Sequence, residues 1–246
     1  LEHYMIKDLP SSDWINQWEE FTPSSHAKEI FSDPYASEID KKEMVNGWFV
    51  ESMPDLNQQQ PQLLKYLIQN AIWWVEYADL SGFRVDTYPY NSRDEVTQWS
   101  KAVMDEYPHF SIVAESWLMN PLHLSYWQKD SPIAAMSGFN SQVTHVKDFA
   151  LYNAIHEAFV GETPWWDQKM NKIYKVIQND FVYATPNNLM VFLENHDTTR
   201  INEILPDFRD YQIVTTLMAT IRGVPQTYYG TEIGMKGAKE KGDADL

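Results

Sequence analysis

Residues 61–86 read PQLLKYLIQNAIWWVEYADLSGFRVD, and the change of period inside this stretch decides the fold class. Leu64, Leu67, Ile68, Ala71, Ile72 and Val75 recur at helical spacing. Pro61 ahead of them suits a first helical turn, where the missing N–H would have no partner anyway. Ser81-Gly82 is expected to close that helix, and Phe83-Arg84-Val85-Asp86 reads as a short strand. The same unit recurs downstream. A second helix is expected from about Ser92, with Val96, Trp99, Val103 and Met104 on one face, followed by the strand Phe110–Glu115. Val143–Phe149 is a weaker strand, followed by a helix from near Leu151, and Asn188–Leu193 is a strongly apolar strand. A helix over Arg209–Arg222 leads through Gly223 into the last strand, Val224–Tyr229. Near-continuous apolar strands separated by helices imply a parallel sheet covered by helices. Five strands are counted, whereas a closed barrel of this class has eight.

Residues 1–57 lack this alternation. They are rich in Ser, Pro, Asp and Trp and read as a long functional loop, so the chain divides into a loop region (1–57) and a partial barrel (58–246). Leu1–Pro10 has no basic start followed by an apolar stretch, so the sequence is expected to begin either mature or within a domain. No apolar run approaches a membrane span.

Composition narrows the partners. The 246 residues carry 19 Lys and Arg against 35 Asp and Glu, a formal net charge of −16, which would repel a phosphate backbone and argues against nucleic acid. The absence of cysteine excludes disulfides, Cys-based zinc sites and a thiol nucleophile. Ten Trp and 14 Tyr are a heavy aromatic load, and Trp14, Trp18, Trp48, Trp117, Trp127, Trp165 and Trp166 occupy polar, loop-like surroundings. Flat aromatic faces match the apolar faces of sugars, but Trp also packs in cores and at loop bases, so composition alone is only compatible with sugar binding.

The chemistry sits where strands end. Arg84 and Asp86, two apart on one strand, point to the same face. An Arg beside an Asp favours its anion, as a nucleophile requires, although the pair alone more often describes a structural salt bridge. Glu115 ends an apolar run and precedes Ser116-Trp117, a setting that would raise a carboxyl's pKa as a general acid needs. Glu194-Asn195-His196-Asp197-Thr198-Thr199-Arg200 packs four ionisable groups and an Asn behind the strongest strand, more than stability alone accounts for. Neither a His-x-x-x-His pair nor a two-His-one-carboxylate spacing occurs, so no metal site is expected. There is no Gly-x-Ser-x-Gly elbow, Gly-x-Gly-x-x-Gly or P-loop, and no cofactor is expected. Three carboxylates on successive strand ends suit glycoside hydrolysis.

These residues resemble the motifs of the α-amylase family of glycoside hydrolases. Gly82-Phe83-Arg84-Val85-Asp86 resembles the motif of its fourth barrel strand, Ala114-Glu115-Ser116-Trp117 that of the fifth, and Phe192–Asp197 that of the seventh. Gly223–Glu232 is similar to its eighth strand, and Met53-Pro54-Asp55-Leu56-Asn57 to a short motif in the long loop after the third. The resemblance implies Asp86 as nucleophile, Glu115 as general acid/base and Asp197 as transition-state stabiliser. It also implies substrate contacts from Arg84 and His196, with Trp117 and Arg200 as further candidates. Met-Pro and the stretches Leu1–Tyr4 and Lys7–Pro10 resemble the neopullulanase and cyclomaltodextrinase branch, although that branch usually carries Lys where this chain has Asp55.

The family's third-strand motif, Asp-x-x-x-Asn-His, is absent. The expected fold is therefore an incomplete (β/α)8 TIM barrel holding approximately the family's strands β4 to β8, behind the long loop that follows β3. The implied activity of the parent is retaining hydrolysis of α-1,4-linked glucans such as maltooligosaccharides, cyclodextrins or pullulan. A catalytically silent glucan-binding or partner subunit is the alternative. Calcium is admitted only for a longer parent, and a periplasmic or extracellular location only by analogy. The fragment itself is expected to be inactive and to associate into a homo-oligomer.

Overall fold

The computed structural model describes residues 13–16, 20–160, 168–205, 207–242 and 245–246. The expectations placed on Leu1–Pro10, Trp18, Trp165 and Trp166 lie outside these residues. Five strands form one sheet in sequence order: β1 (Gly82–Val85), β2 (Ser111–Ala114), β3 (His145–Lys147), β4 (Leu189–Phe192) and β5 (Val224–Gln226). All four pairings are parallel. This is the open run of strands expected of an incomplete barrel, with helices supplying the crossovers. The longer ones are α1 (Glu38–Asn46), α2 (Pro61–Ala78), α3 (Arg93–Glu106), α4 (Phe149–Val160), α5 (Met170–Ile177) and α6 (Phe208–Thr220). Among the described residues no helix is long and apolar enough to cross a membrane.

The pleat sorts side chains between two environments. Phe83, Val85, Ile112, Ala114, Val146 and Leu189 face the helices and share a core with Val75, Val96, Val103 and Trp127. Val191 and Leu193 join a second core with Leu151, Ile155, Val214 and Met218 from α4 and α6. The intervening residues, Arg84, Val113, Lys147 and Phe192, face the other way, into what a closed barrel would enclose. Asp86, Glu115 and Lys147 each stand one step past a register-paired residue: Val85 pairs with Ala114, and Ala114 with Val146. Three ionisable side chains therefore leave neighbouring strands at one level. β1 and β5 each pair on one side only, and both are more exposed than the strands between them. Pro225 fits β5 because an edge strand has no further ladder that needs its N–H. Gly223 ahead of it has φ +100°, and a Cβ there would collide with the Leu189 carbonyl oxygen.

Local chemistry corrects several expected boundaries. The region 1–57 is not wholly irregular: Ser37 and Asp40 form a reciprocal capping box that starts α1. Only Met44 and Val45 of that helix are buried, too few to leave a periodic signature. α2 stops at Ala78 rather than at Ser81-Gly82, because Asp79 takes the left-handed conformation (φ +52°), which Asp tolerates better than most residues. The strands stop one to three residues short of the sequence reading. α5, between α4 and β4, was not anticipated. Trp127, placed in polar surroundings by its neighbours, is buried against Phe31, Tyr88, Tyr126 and Phe139.

Candidate active site

The carboxyl ends of β1, β2 and β4 open onto a cleft of about 310 Å³ lined by Lys28, Phe49, Asp86, Thr87, Pro89, Tyr90, Glu115, Trp117, His196 and Asp197. Arg84 ties its two central carboxylates together. Its Nη1 lies 2.6 Å from Asp86 Oδ1 and its Nη2 lies 3.5 Å from Glu115 Oε1. Asp86 is largely exposed on the cleft side, whereas Glu115 is 5% exposed at the side chain. The other oxygen of Glu115, Oε2, accepts a hydrogen bond of 2.9 Å from the Thr87 backbone N–H. The backbone N–H of Tyr88 also donates to the Glu115 carbonyl at 3.0 Å, so the turn after Asp86 is locked onto the strand that bears Glu115.

Asp197 comes from the turn after β4. Its N–H donates to Asn195 Oδ1 at 2.8 Å, and Asn195 and Thr198 close the turn with further hydrogen bonds. His196 Nε2 lies 2.9 Å from Asp197 Oδ2, and Lys239 Nζ lies 3.7 Å from Oδ1. His196 and Asp197 thus line the same cleft as Trp117. The Trp117 ring is half-buried and stacks on Phe149 at 4.6 Å, with the Lys28 ammonium 5.8 Å from its centroid. It both packs the floor and lines the cleft.

Arg200 is a correction. It was expected to contact substrate, but it is fully buried away from the cleft. Its Nη1 meets Glu194 Oε1 at 3.3 Å and donates to the Tyr229 carbonyl at 2.6 Å, and its guanidinium lies 4.1 Å and 4.6 Å from the Tyr228 and Tyr229 ring centroids. The tight Asn195–Thr198 turn sends Glu194 and Arg200 to one side and His196 and Asp197 to the other, so neighbours in sequence serve different ends.

Two other contributors carry no sequence signal. Phe49 and Tyr90 pack at 4.9 Å, and the His26 ring meets both while its Nδ1 lies 3.0 Å from the Tyr90 hydroxyl. His26 and Phe49 of the 20–57 region thus form an aromatic wall with Tyr90 of the turn after β1. Burial, then Glu115 and Glu29, pushes the Tyr90 hydroxyl up to about 12. Burial also lowers Lys28, against the opposing pull of Glu29 and Glu115. Asp55, the departure from the branch pattern, lies outside the cleft lining, and its Oδ2 accepts from Asn16 Nδ2 at 2.7 Å. Burial pushes that carboxyl up to about 7. An apolar groove between α2 and α3, near 290 Å³, has Glu95 as its only ionisable lining group among the described residues.

A sequence model for the family described as "Alpha amylase, catalytic domain" matches residues 2–245. The chain belongs to the alpha-amylase family. The intracellular maltogenic amylase of Bacillus subtilis (strain 168) is 26% identical over 196 residues, covering 78% of this chain and 30% of that protein. The cyclomaltodextrinase of Geobacillus thermopakistaniensis (strain MAS1) is 26% identical over 195 residues, with the same coverage of 78% and 30%. Among solved structures, the α-amylase of Geobacillus thermoleovorans in complex with acarbose aligns with a TM-score of 0.75 at 26% identity, over 96% of this chain and 48% of that one. An Anoxybacillus α-amylase aligns with a TM-score of 0.77 at 24% identity, over 99% and 49%.

The chain thus spans 30% of the length of these curated relatives and about half of these solved structures. Its fold is part of an alpha-amylase TIM barrel, with five parallel strands among the described residues. No three His, Asp or Glu side chains among the described residues are grouped to hold a metal ion.

Proposed function

We propose that the protein carrying this chain is a retaining glycosidase acting on α-1,4-linked glucans, such as maltooligosaccharides, cyclodextrins or pullulan. One observation carries the reading: Asp86 and Glu115 share the Arg84 guanidinium within one cleft that Asp197 also lines. A guanidinium touching both carboxylates keeps them close together. That suits the separation of about 5–5.5 Å of a nucleophile and its acid partner better than the ~6.5–9.5 Å that leaves room for an attacking water. Exposed Asp86 is placed to attack the anomeric carbon as the leaving glycosidic oxygen takes a proton from Glu115. Water, deprotonated by Glu115, then cleaves the glucosyl ester. Asp197 and His196 would hold the hydroxyls of the reacting sugar, and Trp117, Phe49 and Tyr90 offer apolar faces to its neighbours. The names of the maltogenic amylase and cyclomaltodextrinase relatives agree with the substrate class.

Proton NMR of a fresh maltooligosaccharide digest tests the stereochemistry. Retention predicts that the α-anomer appears first and mutarotates afterwards. A first product of β configuration would overturn the assignment of Asp86 as nucleophile.

A polypeptide limited to these 246 residues is expected to turn over α-glucans negligibly, because it has no Asp-x-x-x-Asn-His segment. Such a polypeptide should also self-associate, since β1 and β5 present unpaired backbone groups on their outer sides. Light scattering coupled to size-exclusion chromatography, beside a maltooligosaccharide assay, reads both. A stable monomer with brisk turnover would refute the expectation.

A further inference from the structure

The chemistry above leaves Lys147 without a role. It stands on β3 at the level of Asp86 and Glu115 and is 2% exposed. Lysine is rarely this buried unless an anion pairs with it. Here the ion pairs of the cleft carboxylates run elsewhere, from Asp86 and Glu115 to Arg84 and from Asp197 to His196 and Lys239. Lys147 forms none among the described residues. Its ammonium instead rests 4.8 Å from the centroid of Phe192, one ring of a floor in which Phe192 meets Phe149 at 4.9 Å and Phe149 stacks on Trp117.

The charged groups around it are Arg84 and Asp86 at the end of β1, Glu115 at the end of β2 and Asp197 beyond β4, while β4 itself presents the neutral Met190 and Phe192. On its own strand the half-buried His145 is lowered by burial. Three carboxyl groups and one competing cation thus surround a single ammonium.

We propose that Lys147 is a positioning residue of the cleft, a cation on the barrel floor that offsets the charge of Asp86 and Asp197, and of Glu115 once it has given up its proton, so that the three carboxyl groups coexist at working distance. This rests on the glycosidase reading. Arg84 alone faces two carboxylates at contact distance, and Asp197 lines the same cleft. Without further positive charge beneath them, each additional ionised carboxylate raises the cost of the next. Burial and then Arg84 lower the ammonium to about 8, against the opposing pull of Glu115, Asp197 and Asp86. The sign of the stability effect follows. An unfolded lysine keeps its proton to about 10.4, so between about 8 and that value the unfolded chain binds more protons and stability rises with pH. Below about 8 the native state bears the full cost of a buried cation. A lysine kept for stability alone would not be placed this way; one kept for the charge it brings to the cleft would.

The test uses Lys147→Met, which keeps the length and the contact with Phe192, and Lys147→Arg, which keeps the charge, in the full-length protein. Lys147→Met should melt at higher temperature at pH 7 yet turn over glucan more slowly. The acid limb of its kcat/KM profile should move to higher pH by about one unit, the low end of what a nearby opposite charge produces. Lys147→Arg should return the limb toward its wild-type position. Titration of 13C-labelled Asp and Glu carboxyls in the ligand-free variants reads the same shift without turnover, so a failure of the glucan assignment leaves this arm standing. Carboxyl titrations and rate profiles unmoved in Lys147→Met, or a lowered melting temperature in both variants, would overturn the proposal and leave Lys147 a packing residue.

Discussion

Asp86→Asn is expected to lower kcat on maltooligosaccharides on the order of 10⁵-fold in the full-length protein, because an amide cannot form the glucosyl ester that divides the reaction into two easier steps. Glucan binding should survive nearly unchanged. The amide oxygen can still accept from Arg84 Nη1, now 2.6 Å from Asp86 Oδ1, so the clamp onto Glu115 keeps its shape. Calorimetric titration with a maltooligosaccharide beside steady-state rates separates the two quantities.

Glu115→Gln makes a contrasting case. The loss should be about 10²–10⁴-fold on natural glucans, as for removal of a general acid. Glucosyl donors with an activated leaving group need no proton to depart, so on these the first step should recover and the glucosyl ester should accumulate. An Asp86→Asn variant with near-normal turnover, or a Glu115→Gln variant equally impaired on both kinds of donor, would remove the respective residue from its role.

The parts of this site that the sequence discloses are those where strand chemistry and motif coincide. Asp86 and Glu115 follow short apolar strands whose alternation is plain, and parallel sheets build their sites at such ends. Lys147 escapes the same logic because β3 is three residues long and contains only one apolar side chain, Val146. A lysine there looks like a solvated face until the register places it beside Glu115. Lys28, Phe49 and Tyr90 escape for another reason. Lys28 and Phe49 reach the cleft through tertiary packing of a segment with no period, which contacts as distant in sequence as His26 to Tyr90 hold against the turn after β1 that carries Tyr90. Arg200 shows the opposite failure, in which nearness along the chain to Asp197 was read as nearness in function. The three-residue separation hides a turn whose geometry depends on Asn195 and Thr198 side chains, and no periodicity reports such a turn.

The buried Arg200 should decide stability where it does not decide chemistry. Glu194 gathers three donors: Oε2 accepts the Ile201 N–H at 2.6 Å, and Oε1 accepts the Thr231 hydroxyl at 2.5 Å as well as Arg200 Nη1. Arg200 continues to the Tyr229 carbonyl, and its backbone N–H donates to the Gly237 carbonyl at 2.9 Å. The pair thus fastens the segment after β4 to the segment after β5, with both side chains almost wholly excluded from water. Arg200→Leu removes the cation and strands the carboxylate in that environment, a change that costs about 3–5 kcal/mol. Glu194→Leu should cost a similar amount, since the guanidinium already buries one nitrogen, Nε, without a partner. The double variant should be less damaged than the sum of the two singles, because no lone charge remains. Denaturant unfolding of the three variants measures this coupling. The same loosening should reach the cleft through Lys239, which contacts both the His196 carbonyl and Asp197, so KM should rise in the single variants while the identity of the nucleophile stays unchanged. If the two single losses simply add, Glu194 and Arg200 act independently, and the clamp between the segments after β4 and β5 lies elsewhere.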